Sequence, residues 1–324
     1  MRKIDCHVHL VGDGSSGSGC WFRLDTLYHR LQARVMVRGL GIDSKYLKGG
    51  LDDVYVETLA TLVRESSLDA VVLLAQDIPY NDEGNALAEK AGFYVPNKYL
   101  FEVVEKHPDI FIPAVSIHPG RKDAMEEVQR CIDQGARVLK LLPNCLNIDY
   151  TEARYIPFLE CMARNRMLLL SHTGGEKTLP VMRPEFADPE LLRSPLECGV
   201  AVIAAHSAGR SGIFDADYTD TLLMLFKEFP HCYGDNSALC SLNRARTLPK
   251  ILTEEAMPRI IHGSDYPVPI MGSGPWMNGV ISWKDYRRCR KISNVIERDY
   301  QLKRAMGFSE DTFTQMDRLL GQLN

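Results

Sequence analysis

The sequence lacks the charge and the apolar length that mark two large classes of protein. Its 324 residues carry 38 Lys and Arg against 42 Asp and Glu, so the net charge is -4. Because nucleic-acid-binding proteins usually cluster Lys and Arg, we expect no nucleic-acid partner. No apolar stretch reaches the length that spans a bilayer, so we expect no membrane partner either.

Paired cysteines and a secretion signal are also missing. The nine cysteines are odd in number and scattered, and none lies in a C-x-x-C pair. The first residues, Met1-Arg2-Lys3, lead directly into an apolar strand, with no hydrophobic segment before a cleavage site. We therefore expect a reduced, cytoplasmic protein without a disulfide framework.

Eight apolar runs rich in Val, Ile and Leu recur along the chain, with amphipathic segments between them. The predicted strands are 3–8, 68–75, 111–117, 136–142, 167–171, 200–205, 231–235 and 259–263. Strands of this kind that alternate with helices are typical of a parallel sheet covered by helices. Eight units of this size predict an α/β fold, a (β/α)8 TIM barrel, as one domain over residues 1–324.

Two connections are too long for ordinary barrel loops, one after strand 1 (residues 11–51) and one after strand 8 (residues 266–279). Long loops in a compact domain are usually functional. Residues 12–19 form a flexible Gly/Ser segment and do not match G-x-G-x-x-G, which argues against a doubly wound nucleotide-binding sheet. Both long loops are expected above the carboxyl ends of the strands.

Histidine and aspartate side chains stand where predicted strands end. His7 and His9 end the first strand, and alternate residues of a strand share a face about 6.6 Å apart. A slight bend would bring both rings to one ion, at roughly 2.0–2.1 Å if the ion is zinc. His172, His206 and Asp265 end the fifth, sixth and eighth strands, and strand ends converge on one mouth of a barrel.

Five sequence motifs in this order resemble those of the amidohydrolase superfamily. They are Asp5-Cys6-His7-Val8-His9, Arg137-Val138-Leu139-Lys140-Leu141, Ser171-His172-Thr173-Gly174, Ala205-His206-Ser207 and His262-Gly263-Ser264-Asp265-Tyr266-Pro267. Within the superfamily the chain is most similar to the amidohydrolase-related group, which contains metal-dependent hydrolases and decarboxylases of TIM-barrel fold.

This resemblance implies a role for each matching residue. His7, His9 and Asp265 would bind a first divalent metal ion, expected to be zinc. His172 would be a ligand whether the site holds one metal ion or two. His206 would complete a second site or act as acid, base or oxyanion stabiliser, with Asp265 as the other catalytic residue. A bound divalent ion lowers the pKa of water from about 15.7 to about 7, and Asp265 would accept the proton.

Lys140 decides between one ion and two, and the sequence leaves both versions open. Carbamylated by carbon dioxide, it would bridge two metals, as the resemblance to binuclear members implies. As a free ammonium in the barrel it needs a partner, either Asp265 or a carboxylate of the substrate. We therefore expect one divalent ion, with a second ion optional.

Three residues that follow strand ends are candidates for substrate binding: Arg121, Asn144 and Arg210. The two arginines suit a carboxylate or phosphate best, because a guanidinium offers a planar fork of donors. His118, which ends the third strand, lies outside the ligand set and is expected to be structural. The same holds for the remaining histidines, namely His29, His107, His231 and His262.

The leading functional hypothesis is a metal-dependent hydrolase of a small-molecule amide, ester or lactone that uses metal-activated water. The alternative is a metal-dependent decarboxylase of a small unsaturated or aromatic acid. A third hypothesis is a catalytically silent binding protein that keeps the barrel, although the full ligand set argues against it. The expected partner is a small-molecule substrate, and a homo-oligomer is left open.

Overall fold

Eight parallel strands form the barrel in the computed structural model, which describes residues 1–322 except for the side chain of Tyr28. The barrel strands are β1 Ile4–His9, β3 Ala70–Leu74, β5 Phe111–Val115, β6 Val138–Leu141, β7 Leu168–Ser171, β8 Ala201–Ala204, β9 Cys232–Asp235 and β10 Ile260–Ile261. Each pairs in parallel with the next in this order. All eight predicted strands are confirmed.

Hydrogen bonds across the seam join the last strand region to the first. The Cys6 amide donates to the His262 carbonyl and the His9 amide to the Tyr266 carbonyl, both at 2.8 Å. The barrel strands are buried on both faces; β3, with the sequence Ala-Val-Val-Leu-Leu, is buried throughout. Such continuous apolar strands are typical of a sheet that has core inside and helices outside.

Helices cover the barrel. Those between the strands are α2 Leu51–Arg64, α3 Asn97–Lys106, α4 Ala124–Asp133, α5 Pro143–Leu146, α6 Ile156–Arg164, α7 Arg193–Glu197, α8 Thr219–Glu228 and α9 Leu248–Ile251. Four helices follow the last strand: α10 Ser273–Met277, α11 Trp283–Cys289, α12 Val295–Ala305 and α13 Glu310–Gln322. Among residues 1–322, no helix has both the length and the apolar character needed to cross a bilayer. All nine cysteines are free thiols, as predicted.

The long connection after β1 is more ordered than the sequence suggested. It contains the helix α1 Leu27–Gly39 and the short strand β2 Trp21–Phe22, which pairs antiparallel with β4 Phe93–Tyr94. The Gly/Ser segment expected to be flexible is held by the buried carboxylate of Asp52, which accepts hydrogen bonds from the amides of Asp13, Gly14 and Ser16. These contacts fix the start of the connection, and α1 then lies beside the mouth of the barrel.

Candidate active site

The two histidines of β1 meet the aspartate that follows β10. The Nε2 atom of His7 lies 3.3 Å from Oδ1 of Asp265, and the Nε2 atom of His9 lies 3.2 Å from the same oxygen. His7 is 1% exposed and Asp265 is 7% exposed. Residues about 256 positions apart thus offer three possible ligand atoms within 4.8 Å of one another.

His172 and His206 extend this cluster towards the neighbouring strands. Their ring centroids lie 5.0 Å apart, and His206 lies 5.1 Å from His7. The Nε2 atom of His172 is buried without a hydrogen-bond partner. A carboxylate oxygen of Glu176 lies 3.8 Å from it. A buried unpaired nitrogen is costly unless something binds it. The donor set therefore fits a divalent cation held by imidazole and carboxylate groups.

Asp235, the last residue of β9, contacts His7 and was not identified from the sequence. Its Oδ2 atom lies 2.8 Å from Nδ1 of His7, so that the ring donates there and its Nε2 lone pair faces Asp265. Its other oxygen accepts from the amides of His206 and Ser237, at 2.7 and 3.0 Å. A carboxylate that fixes the tautomer of a metal-binding histidine is a common feature of metal sites. Its only signal in the sequence is its position at a strand end.

The orientation of His206 depends on a tight turn and on a serine. His206 has φ of 59° and begins a run of three residues in the left-handed region, which turns the chain sharply after β8. Its Nδ1 atom lies 2.8 Å from Oγ of Ser237, and that hydroxyl donates to Asp235. Nδ1 therefore carries the proton, and Nε2 of His206 is left as an acceptor.

Lys140 lies beneath the histidines and is fully buried. Its Nζ atom is 3.2 Å from Nε2 of His7, and no carboxylate oxygen of residues 1–322 lies within 4 Å of it. The pairing with Asp265 that the sequence left open is not present. Burial lowers the pKa of Lys140 to about 8, although the more distant Asp235 and Asp265 oppose the shift.

Three histidines of the cluster, His7, His172 and His206, are neutral near pH 7. Burial, followed by the charge of Lys140, lowers the pKa of His7 to about 4. Burial also lowers the pKa of His172 and His206 well below the ordinary value, assisted by Lys140 and Arg244. A neutral imidazole is the form that binds metal ions.

Asp265 is ionised in the same surroundings. Burial alone would raise the pKa of this carboxyl group, but the hydrogen bond with His9 and the charge of Arg244 lower it below its ordinary range. Gly263 lets this segment pass close to β1, because a Cβ atom there would lie 2.9 Å from Cβ of His7. The cluster thus combines neutral nitrogen donors with one anionic oxygen donor.

Two further buried charged residues hold the loops around the cluster. Arg244 donates to the carbonyls of Gly175 and Gly209, at 2.6 and 3.0 Å, and so joins the segments after β7 and β8. Asp5 accepts from the amide of His7 on its own strand and from the amide of Ser264 across the β1–β10 seam, both at 2.9 Å. Burial raises the pKa of Asp5 to about 7. Neither Arg244 nor Asp5 could be given a role from the sequence.

A cavity of about 250 Å³ opens above the cluster. Its floor contains His7, His9, Lys140, His172, His206 and Asp265, which brings every predicted metal-binding candidate into one site. Its walls come largely from α1, β2, β4 and the segment after β7. The long connection after β1 therefore forms a wall of the cavity, in agreement with its predicted place at the barrel mouth.

The sequence of the chain matches the model of a known protein family. The amidohydrolase family model matches residues 4–276. The chain belongs to the amidohydrolase family. No curated protein matches this amidohydrolase in sequence.

Solved structures share the fold of this amidohydrolase at low sequence identity. An uncharacterized TIM-barrel protein from Bordetella bronchiseptica is 18% identical with a TM-score of 0.58, covering 95% of this chain and all of that one. A probable 2-pyrone-4,6-dicarboxylic acid hydrolase from Acinetobacter baumannii is 16% identical, with a TM-score of 0.57 and the same coverage. A 2,6-dihydroxybenzoate decarboxylase is 14% identical with a TM-score of 0.51, covering 95% of this chain and 99% of that one. Both hydrolases and decarboxylases therefore adopt this fold.

The three residues predicted to bind substrate are not among those that line the cavity of the amidohydrolase. Arg121 pairs with the buried Asp77 at 3.2 Å and with Asp123 at 2.8 Å. Arg210 lies 3.8 Å from Asp217. Asn144 is buried behind the wall, and its carbonyl oxygen accepts from the amides of residues 182 and 183. Strand order could not predict the ion pairs of the two arginines.

The histidines outside the predicted ligand set take other positions in the amidohydrolase. His118 is buried between the Gly120 amide and the Leu146 carbonyl, which agrees with a structural role. His262 points away from the cluster and packs 4.8 Å from the ring of Phe313. His29, expected to be structural or solvated, instead lies on α1 among the residues that line the cavity. The place of His29 in the cavity wall could not be predicted from the sequence, because the segment that forms α1 was expected to be a loop.

Proposed function

We propose that this amidohydrolase is a metal-dependent hydrolase of a small-molecule amide, ester or lactone. The observation that carries the proposal is the shared approach of two histidine Nε2 atoms to one oxygen of Asp265, at 3.2 and 3.3 Å. Two imidazoles, of which His7 is neutral, beside an ionised carboxylate match the donor set of a catalytic zinc site, and an adjoining cavity gives a substrate access.

Each residue of the cluster has a distinct task in this proposal. A divalent cation held by His7, His9 and Asp265 would lower the pKa of water and polarise a carbonyl group. Asp265, ionised and only 7% exposed, accepts the proton from the attacking water and returns it to the leaving group. His172 would contribute a further ligand from the segment that follows β7.

The tautomer of His206 changes the role expected of it. Because Ser237 binds the protonated Nδ1 atom, Nε2 of His206 acts as a ligand or as a proton acceptor. A hydrogen bond from this nitrogen to a developing oxyanion, which the sequence suggested, would need the opposite tautomer. Proton acceptance therefore falls to Asp265 and His206, and a bound cation would supply the charge that stabilises an oxyanion.

One observation favours the alternative, a decarboxylase of a small unsaturated or aromatic acid. Lys140 is a buried cation in the floor of the cavity without a carboxylate partner within 4 Å among the described residues. A substrate carboxylate would supply that partner. A 2,6-dihydroxybenzoate decarboxylase also shares the fold.

The test measures two products with one panel of substrates. Protein loaded with zinc and protein treated with a chelator are incubated with neutral esters, lactones and amides and with aromatic acids, and acid release and carbon dioxide release are followed. We expect acid release from the neutral substrates by the zinc-loaded protein only. Asp265→Asn should lower the rate by about 10²- to 10⁴-fold, as expected for loss of a general base.

A matched histidine control separates the site from general damage. His231 binds the Leu196 carbonyl near the start of β9, so His231→Gln should keep its activity, whereas His7→Ala should lose it. Carbon dioxide release without acid release would replace the proposal with the decarboxylase. Unchanged metal content in His7→Ala would favour the silent binding protein.

A further inference from the structure

The walls of the cavity differ sharply from its floor. One face of α1 contributes residues at helical spacing, among them Met36, Val37 and Leu40. Phe22 of β2 and Phe93 of β4 face the same space. The apolar wall begins directly beside the predicted ligands, because the ring of Phe93 stands edge-on to His9 with centroids 6.3 Å apart.

Charged groups around the cavity disfavour an anionic substrate body. Beyond the floor, which contains Lys140, the carboxylates of Asp25, Glu89 and Glu176 line the cavity, and Arg23 is the one cation among the described wall residues. Arg23 is exposed, donates to the Ala88 carbonyl and lies 5.2 Å from the ring centroid of Trp21. A second carboxylate on a substrate would therefore meet apolar carbon or like charge.

The size of the cavity limits the substrate. An apolar cavity of about 150 Å³ is large enough to hold benzene. The volume here is about 250 Å³, which adds room for a few more carbon atoms beside a ring.

We infer that this site selects a substrate whose non-reacting part is uncharged and apolar, about the size of an aromatic ring with a short alkyl chain. The carbonyl group lies at the histidine cluster, and the apolar part lies along α1 and β4. This inference names the substrate class of the proposed hydrolase and rests on that function. Its basis in the cavity walls can nevertheless be tested without turnover.

The test compares the binding of neutral amides and of the matching acids by calorimetry. The probes are phenylacetamide, 3-phenylpropanamide and 4-phenylbutanamide, with the same amides carrying a 4-carboxyl group on the ring as their anionic counterparts. In the metal-free protein we expect the unsubstituted amides to bind at least about tenfold more tightly than the acids, because a carboxylate among the wall residues, away from Lys140, would lack a partner. Each added methylene should tighten amide binding by up to about fourfold.

Two neighbouring residues of α1 provide matched variants. Met36 lines the cavity, whereas Val35 is 52% exposed and does not. Met36→Glu should abolish the gain in affinity with chain length, and Val35→Glu should preserve it. Phe93→Ala provides a second variant without an added charge, and it should weaken binding of the longest amide most.

The outcomes separate this inference from the proposed function. Chain-length-dependent amide binding without hydrolysis of any ester would support the inference and contradict the hydrolase. Ester hydrolysis with no dependence on chain length, or tighter binding of the acids in the metal-free protein, would overturn the inference. Equal loss of amide binding in Val35→Glu and Met36→Glu would overturn it as well.

Discussion

Two lysines, Lys140 and Lys303, are both fully buried in this barrel, yet their surroundings differ. Lys303 of α12 donates to Asp299 on the same helix and to the Gly263 carbonyl behind the active site. Lys140 on β6 has His7 as its nearest polar partner, at 3.2 Å. Lys303, a buried cation with a carboxylate partner, holds α12 against the barrel. Lys140, a buried cation without such a partner, can bind a ligand.

The two pKa shifts follow from this difference. Burial lowers the pKa of both lysines, but for Lys303 the charge and hydrogen bond of Asp299 more than compensate, so that its pKa rises above 10.5. For Lys140 burial dominates, and the pKa falls to about 8. The same residue type thus stabilises the fold in one place and costs stability in the other.

The largest expected effect is on stability. Lys303→Met leaves Asp299 as an unpaired buried charge and should lower the free energy of unfolding by about 3–5 kcal/mol. Lys140→Met should leave it unchanged or raise it by up to about 3 kcal/mol in metal-free protein, because an unpaired cation is removed. Urea denaturation at pH 7 measures both. Comparable losses in the two variants would show that Lys140 is as well paired as Lys303.

The pH dependence of stability should have opposite signs at the two sites. Between about pH 8 and 10.5 the unfolded chain keeps a proton on Lys140 that the folded, metal-free chain has lost. The free energy of unfolding of the wild type should therefore rise with pH relative to Lys140→Met, by about 3 kcal/mol in all. The contribution of Lys303 should stay constant up to pH 10.5 and be lost as the pH rises through its raised pKa. Flat difference curves for both variants would contradict the assignment.

Added zinc should stabilise the protein through the cluster that surrounds Lys140. At a free zinc concentration of 100 times Kd, the free energy of unfolding should rise by about 2.7 kcal/mol, also in Lys303→Met. His7→Ala should lose this increment. Lys140→Met should retain at least one ion by elemental analysis; complete loss of metal would show that Lys140 itself is a ligand.

The smallest expected effect separates the carboxylates that accompany the two lysines. Asp235→Asn removes the acceptor of His7 Nδ1 and should weaken zinc binding by about 10- to 100-fold in competition with a chelating dye. Asp299→Asn should leave zinc affinity unchanged while lowering stability, because Asp299 binds Lys303 and not a predicted metal ligand. Equal zinc affinities in both variants would mean that Asp235 does not orient His7.

Strand periodicity and strand-end histidines were enough to predict the barrel and to bring His7, His9, His172, His206 and Asp265 together, because parallel strands deliver their carboxyl ends to one face. Hydrogen-bond and ion-pair partners that depend on side-chain direction could not be predicted from the sequence. Asp235 shares its strand end with no recognisable motif, and Arg121 is bound by Asp77, which lies on another connection. Helix α1 was missed because it lies within a connection rich in glycine and serine.

The seam between β1 and β10 gives the cluster a place in the order of synthesis. His7 and His9 are synthesised about 256 residues before Asp265. The ligand pair from β1 must therefore wait, exposed or loosely packed, until nearly the whole barrel has been made. A divalent ion bound both by the histidines of β1 and by Asp265 after β10 would bind only when the ring of strands is complete.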